Sequence, residues 1–523
     1  MPTVMTAKEA VAACIHDGDT VTFGGFANGL MHPEEILAAL EAAALSGEGP
    51  RDLTVLYAAG QGDSDQKGLN HLGVEGLCRK VIGGHWGLCP KLGALAAQNK
   101  LAAYNLPQGA IAQLYREIAA GRPGVITHVG LGTFADPRLE GGKLNQAARD
   151  EGDVVKVIQF EGEEKLFYPA FPIDVAVVRA SYADTRGNCT FEREGVFADT
   201  LAQAQAAHNS GGRVVVQVEK IVEPGTLDLQ MVRLPGIYVD VLVVAAPENH
   251  MQTFGTQYDP AFSGEVRVPL DSLAPLPMGE RKIIARRAAM ELVPNAVTNL
   301  GIGMPEGVAA VSAEEGLSGM VLTTEVGAIG GVPAGGRDFG AAVNADCILD
   351  QPSQFDFYDG GGLDVAFLGL AQMDGAGNIN VSKFGPKITG CGGFVNITQN
   401  AKKVVYCGTF TAGGLKVGVE DGRLVIRQEG KVKKLIPQVE QVTFSGEYAA
   451  KQGQPVLYVT ERAVFALTPE GVELKEIAPG VDLQKDVLDQ MDFTPVMKDV
   501  KTMDPRIFRD APMGLSQQPP VLS

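Results

Sequence analysis

The patterns that hold metals or form disulfides are missing from this chain. Its seven cysteines never fall in a C-x-x-C pair, and its seven histidines form neither H-x-H nor H-E-x-x-H. Spacing therefore offers no metal cage, no redox dithiol and no disulfide framework. Aromatic residues are scarce, 6% with a single tryptophan, which argues against the aromatic-rich cleft of a sugar-cleaving enzyme. Basic residues are outnumbered: 62 Asp and Glu against 44 Lys and Arg leave a formal net charge of −18. Such a surface is unsuited to holding nucleic acid or anionic lipid by charge alone. No apolar run approaches the roughly 20 residues of a membrane helix, and the N-terminal "MPTVMTAKEA" lacks a basic segment followed by an apolar one. A cytoplasmic protein is expected, with no metal, no nucleic acid and no membrane among its partners. A small anionic ligand is still compatible, since backbone N–H groups, helix N-termini or a few lysines suffice to hold one.

What the chain does have is size and internal repetition. Its 523 residues and 45% hydrophobic content exceed what one core usually absorbs and favour two domains. "DVAVVRASYADTRGN" from Asp174 and "DVAFLGLAQMDGAGN" from Asp364 are two copies of one pattern, with Asp184 and Asn188 matched by Asp374 and Asn378. The register persists to "GGRVVVQVE" and "AKKVVYCGT", where Arg213 matches Lys403. Upstream, Pro33 lies opposite Pro305, and "THVGLG" resembles "TTEVGA" when Thr127 pairs with Thr324, which sets His128 opposite Glu325. The first half then carries an insertion over about 51–121. Short, continuous apolar runs such as "VDVLVVAAP" and "KKVVYCG" fit parallel strands buried on both faces. "HPEEILAALEAAAL", "LAQAQAAHNS" and "RKIIARRAAMELV" fit covering helices.

The expected architecture is α/β: two similar tandem α/β domains with mainly parallel sheets, residues 1–265 and 280–523, and a C-terminal antiparallel addition. A proline-interrupted linker is expected over 263–280 and a disordered tail at "SQQPPVLS".

Two glycine turns recur at equivalent places. "TVTFGGFANGLMHPEEIL" reads as strand, turn and helix, with Gly24 and Gly25 in the turn and Pro33 at the first helical position. "TNLGIGMPEGVAAV" repeats this with Gly301, Gly303 and Pro305. Neither matches a dinucleotide or phosphate-loop fingerprint, so plain strand-to-helix geometry and contact with an anionic ligand both remain open.

The sharpest feature is "LTTEVGAIGGVPAGG", 322–336, where one carboxylate, Glu325, precedes five glycines with no His, Ser or Lys beside it. Glu325 could be a strand-end residue accepting turn N–H groups. As a general base it lacks a neighbouring metal or electrophile, and as half of a glycosidase pair it lacks the aromatic cleft. A carboxylate nucleophile is the remaining form. It needs no partner base at neutral pH, attacks only an activated acyl group such as a thioester, and requires amide donors for the oxyanion, which glycine turns can supply.

With these residues in view, the chain resembles the class I coenzyme A transferases, in the fused single-chain acetate or propionate CoA-transferase form. The resemblance extends over nearly the whole chain and is carried by "GGFANGLMHPEEIL", "AAGQGDSDQKGLNHL", "VIGGHWG", "AYNLPQG", "GLGTFADPR", "FPIDVAVVRASYADTRGN", "AAHNSGG", "VTNLGIGMP", "TTEVGAIGG", "DQPSQFDFYDGGGLD", "VSKFG", "GCGGFVNITQ" and "GTFTAGG". It implies ping-pong transfer between an acyl-CoA and a free carboxylate, with Glu325 as nucleophile and a glutamyl-CoA thioester as intermediate, and the small residues around 24–29 and 327–336 suggest a short acyl chain such as acetyl, propionyl or butyryl. Coenzyme A enters as a substrate, and no cofactor is implied.

The resemblance further places Gln108 near the reacting carboxylate, Gly392 and Gly393 as candidate backbone oxyanion donors, and Asn299 as an active-site amide. Gly24 and Gly25 would line the acyl pocket. Lys383, Gly303 and Asn396 would lie where CoA contacts are expected, and a homotetramer is expected. Related two-subunit enzymes carry a lysine after the nucleophile where this chain has Asp346 and Cys347, so that role is not transferred. His128 is read as structural, Asp184 and Asp374 as turn formers, and His85 and Trp86 in "GGHWG" receive no role. An acyl-CoA thioesterase on the same scaffold and a non-catalytic CoA sensor are the competing readings.

Overall fold

A computed structural model describes residues 1–269, 275–317 and 319–517. It forms two compact units, one of Met1–Val268, Thr324–Phe357 and Lys383–Asn396, the other of Pro269–Thr323, Tyr358–Ser382 and Ile397–Ser523. Of the expected linker, 263–269 and 275–279 form no helix or strand, and 270–274 lie outside the described residues, as does the expected tail beyond position 517.

The first unit is built on an eight-stranded sheet. From one edge to the other it runs Thr3–Met5, Val241–Val244, Arg213–Val218, Val175–Arg179, Thr20–Phe23, Leu53–Tyr57, Cys78–Gly83 and Ala102–Asn105, and every neighbouring pair is parallel. The last three strands come from the 51–121 insertion, which thus extends the sheet. Val175–Arg179 and Leu53–Tyr57 are buried along their whole length, as β-branched runs covered on both faces should be. The helix expected from "HPEEILAALEAAAL" is Glu34–Ser46; it starts one residue after Pro33 and closes on Gly47 in the left-handed region. Beside the eight-stranded sheet stand a four-stranded mixed sheet, in which Tyr182–Asp184 pairs in parallel with Lys220–Val222, and a three-stranded antiparallel sheet. The latter contains Gly124–Thr127 paired with Glu163–Pro169, so the strand before His128 lies outside the parallel sheet and differs in surroundings from the strand before Glu325.

The second unit repeats the design. Val321–Thr323, Val297–Leu300, Val365–Gly369, Val404–Cys407 and Val456–Val459 follow one another in parallel. Ala463–Thr468 and Gly471–Ile477 then continue antiparallel, and a separate antiparallel hairpin joins Lys416–Glu420 to Arg423–Gln428. These are the C-terminal addition.

The duplicated turns are alike in detail. Asp184 Oδ1 accepts from Arg186 N at 2.9 Å and Asn188 N at 3.0 Å. Asp374 Oδ1 accepts from Ala376 N and Asn378 N, both at 3.1 Å. Each aspartate closes its own turn, and Asp374 Oδ2 also accepts from Val439 N–H at 3.3 Å.

Candidate active site

The order of the first sheet reverses at Thr20–Phe23, whose successors in sequence lie on one side while Val175–Arg179 begins the other. Open α/β sheets bind ligands outside the carboxyl ends of their strands at such a point. The residues just past those ends are Gly24 and Gly25, Gly60, Gly84 and His85, and Gln108 at the start of helix Gln108–Ala119. Packing demands glycine at position 25 of the first turn and leaves position 24 only closely packed. A Cβ on Gly25 would stand 2.4 Å from His32 Cδ2, and one on Gly24 would stand 3.4 Å from Val178 Cα.

Segment 383–396 is laid over this edge by backbone bonds. Trp86 N–H donates to Thr389 O at 2.7 Å, Gly392 N–H to Gly84 O at 2.7 Å, and Gln108 N–H to Gly392 O at 3.1 Å. Side chains add to this: Cys391 N–H donates to Asn105 Oδ1, and Gly109 N–H to Asn396 Oδ1, both at 3.0 Å. Gln108, Gly392, Gly393 and Asn396 are therefore held together at one place. The two glycines differ in what their N–H groups do. That of Gly392 is consumed by Gly84, whereas buried Gly393 has no bond to its N–H among the described residues, a rare state for a buried backbone donor.

Glu325 follows strand Val321–Thr323 in a turn closed by Thr324 N–H to Ala328 O at 2.9 Å and Gly327 N–H to Thr324 O at 3.1 Å. Glycine is required behind it: Gly327 has φ +118°, and a Cβ there would lie 2.0 Å from Leu349 O. The side chain keeps part of its surface accessible although protein surrounds it. Burial pushes its carboxyl above the usual range, offset in part by its own backbone N–H. No charged side chain is paired with it among the described residues.

A bonded route runs from this turn to Gln108. Leu349 N–H donates to Gly327 O at 2.9 Å, and two residues later buried Gln351 accepts from Gln108 Nε2 at 3.2 Å while donating to Asp199 Oδ2 at 2.9 Å. Burial and the nearby Asp350 push the Asp199 carboxyl up to about 8. Gln351 and Asp199 were not singled out from sequence. The "DQPSQFDFYDGGGLD" stretch contained Gln351, but nothing local in it marks that glutamine as Gln108's partner.

Lys383 lies in a short hairpin strand, Lys383–Phe384, paired with Lys387–Ile388. Asn299 and Gly303 belong to the second unit. There Asn299 Nδ2 donates to Thr323 O at 3.2 Å and Tyr358 donates to Thr323 Oγ1 at 2.8 Å, while Gly303 is exposed and its carbonyl accepts from Arg281 at 2.8 Å. A cavity of about 680 Å³ in that unit, lined by Val419, Arg427, Phe508 and Arg509 among others, contains none of these residues. Among the described residues no helix is long and apolar enough to cross a membrane.

Comparison with known proteins bears on the family. The coenzyme A transferase family profile matches residues 4–245. The chain is 50% identical over 524 residues to caffeate CoA-transferase of Acetobacterium woodii, covering 98% of this chain and 99% of that protein. It is 45% identical over 513 residues to acetate CoA-transferase YdiF of Escherichia coli K12, covering 98% and 96%. Among solved structures it is similar to the acyl-CoA transferase YdiF of E. coli O157:H7, determined as a thioester complex with CoA, with TM-score 0.92, 45% identity and coverage of 98% and 97%. The apoenzyme of that protein superposes with TM-score 0.93 at the same identity. An α/β chain matching such enzymes over nearly its full length belongs to the coenzyme A transferase family and is a CoA-transferase.

Proposed function

We propose that this enzyme moves CoA between short-chain acyl-CoA (acetyl, propionyl, butyryl) and a free carboxylate through a glutamyl-CoA thioester on Glu325. The observation that carries the reading is Glu325 itself: an accessible carboxylate with no cationic partner, its basicity raised by burial, in a turn that only glycine can follow. A raised pKa makes the carboxylate a better nucleophile.

In the first step a Glu325 carboxylate oxygen bonds to the thioester carbonyl carbon. The tetrahedral oxyanion forms, and the C–S bond breaks to release CoA thiolate and leave a mixed anhydride. The thiolate then attacks the Glu325 carbonyl carbon of that anhydride, expelling the acyl group as its carboxylate and leaving the glutamyl-CoA thioester. An acceptor carboxylate reverses the sequence and departs as the new acyl-CoA. No net proton is transferred, which fits a site without a partner base.

Gly393 N–H is assigned as the oxyanion donor in preference to Gly392, whose N–H is held by Gly84. Gln108, locked by Gln351, flanks the reacting carboxylate. The thioester complex of the YdiF relative supports a thioester intermediate. Small residues around 24–29 and 327–336 favour short acyl groups, and since the relatives are named for acids as different as caffeate and acetate, both classes belong in the acceptor assay. A homotetramer in the cytoplasm is proposed with the same reading.

The direct test is the mass of the Glu325 peptide after incubation with propionyl-CoA and no acceptor, quenched in acid. A CoA-sized addition on Glu325, absent in Glu325→Gln, is expected. Steady release of free CoA without an adduct would instead make the enzyme a thioesterase.

A further inference from the structure

His85 stands at the carboxyl end of strand Cys78–Gly83 with glycine on several sides. A Cβ on Gly60 would lie 2.6 Å from its Nδ1, one on Gly87 3.0 Å from its Cε1, and one on Gly390 2.8 Å from its Cα. His85 is thereby packed against three glycines: a side chain at position 60 or 390 would clash with it, and one at position 87 would be tight. Its two nitrogens are not equivalent. Nδ1 is buried without a partner among the described residues. It faces the Cα–H of Gly60, so a lone pair there meets a weak C–H donor, whereas an N–H would be an orphaned buried donor. His85 as a residue is half-buried and Nε2 is not among the enclosed atoms without a partner, so the proton is assigned to Nε2. Burial holds the imidazole down to about 4, so the ring is neutral at pH 7, and it has no protein acceptor among the described residues. The vacant side-chain position of Gly392 is bordered by this ring, 3.8 Å from Cδ2, and by Gln108 Oε1 at 3.4 Å. His85 and Gln108 thus flank the same small space beside the Gly393 N–H.

We propose that His85 is a substrate-positioning residue whose Nε2–H donates to an oxygen of the substrate carboxylate beside Gln108. The inference rests on the transferase reading above. A neutral donor suits a carboxylate that must itself act as a nucleophile: it orients one oxygen without the full charge of Lys or Arg, which would lower the basicity of the other. The same donor serves in both half-reactions, because the carboxylate expelled in one occupies the place of the acceptor in the other.

The experiment compares His85→Ala, His85→Gln and His85→Asn in steady-state transfer from propionyl-CoA to acetate, with adduct formation on Glu325 measured in parallel. A hydrogen bond to a charged group corresponds to about a ten- to hundredfold effect. His85→Ala is expected to raise KM for the carboxylate by about that factor, with little change in KM for acyl-CoA. Glutamine, whose amide N–H falls where Nε2–H was, should restore most of the loss, and asparagine, which falls at Nδ1, should not. An unchanged carboxylate KM in His85→Ala, or equal behaviour of Gln and Asn, overturns the proposal while a normal Glu325 adduct leaves the transferase reading intact. Failure of the wild-type adduct strikes that reading instead. Should the alanine variant not fold, ¹⁵N-imidazole spectra of the wild-type protein decide. A neutral Nε2–H ring, assigned through His85→Gln, is expected to shift on titration with propionate; a ring that ignores propionate overturns the proposal.

Discussion

Replacing Gln351 with leucine removes one side chain and orphans two. Gln351 is fully buried; its Nε2 donates to Asp199 Oδ2 and its Oε1 accepts from Gln108 Nε2. Leucine nearly matches its volume, so cavity formation is small and the cost is polar. Asp199, already without a partner on Oδ1, loses the bond to Oδ2, and the Gln108 amide loses its acceptor. Leaving a buried polar group unsatisfied costs about 1–3 kcal/mol, so the pair amounts to about 2–5 kcal/mol. At about 2 °C or more per kcal/mol for a large domain, the thermal midpoint should fall by roughly 5–10 °C. Activity should fall as well, because the Gln108 side chain is no longer fixed beside Gly392. Calorimetry and transfer kinetics on Gln351→Leu, with Asp199→Asn as control, provide the assay. Asp199 is pushed up to about 8 and so is neutral when folded; an amide in its place still accepts from Gln351, and compared at pH 4, where the unfolded carboxyl is not yet fully ionised, that control should remain within about 1 kcal/mol of wild type. A Gln351→Leu protein with an unshifted midpoint and full activity would refute the idea that this relay holds Gln108.

Two pH effects accompany this. Asp199 has a folded pKa raised above its unfolded value, so the native state binds the extra proton and stability declines as pH rises from about 4 toward 8; denaturant midpoints of Asp199→Asn should lose that decline. His71 lies between Glu34 at 3.0 Å and Glu41 at 2.6 Å. Burial opposes its charge, but the hydrogen bonds to the two carboxylates prevail and raise its pKa. Its contribution is fully present below about pH 6.5 and is lost as pH rises through the folded value, so the stability gap between wild type and His71→Gln should be widest near pH 6 and narrow at pH 9.

Much of the fold was legible because its signals are local. The two Asp-to-Asn turns use bonds spanning two to four residues, so the repeat carries its own turn geometry. The apolar runs around Val175 and Val404 identify buried parallel strands, since only a strand covered on both faces needs no polar alternation. Glu325 could be placed at a strand end from "VLTT" and the glycines behind it. The match of Thr127 with Thr324 carries no information on surroundings, because one-dimensional similarity does not say whether a strand joins the parallel sheet or a separate antiparallel one. Likewise the sequence could not choose between Gly392 and Gly393, for the bond that distinguishes them reaches back to Gly84 across the chain.

The sequence by itself determined the duplicated α/β design, the identity of the acid with no partner base, and the family to which the motifs belong, all of which depend on residue type and short spacing. Only the tertiary structure decided which groups share a site. The partner of Gln108 is 243 positions away, and segments 324–357 and 383–396 join the unit of residues 1–268. Those choices are made by long-range backbone and amide bonds, whose geometry exists only once the strands have closed into a sheet.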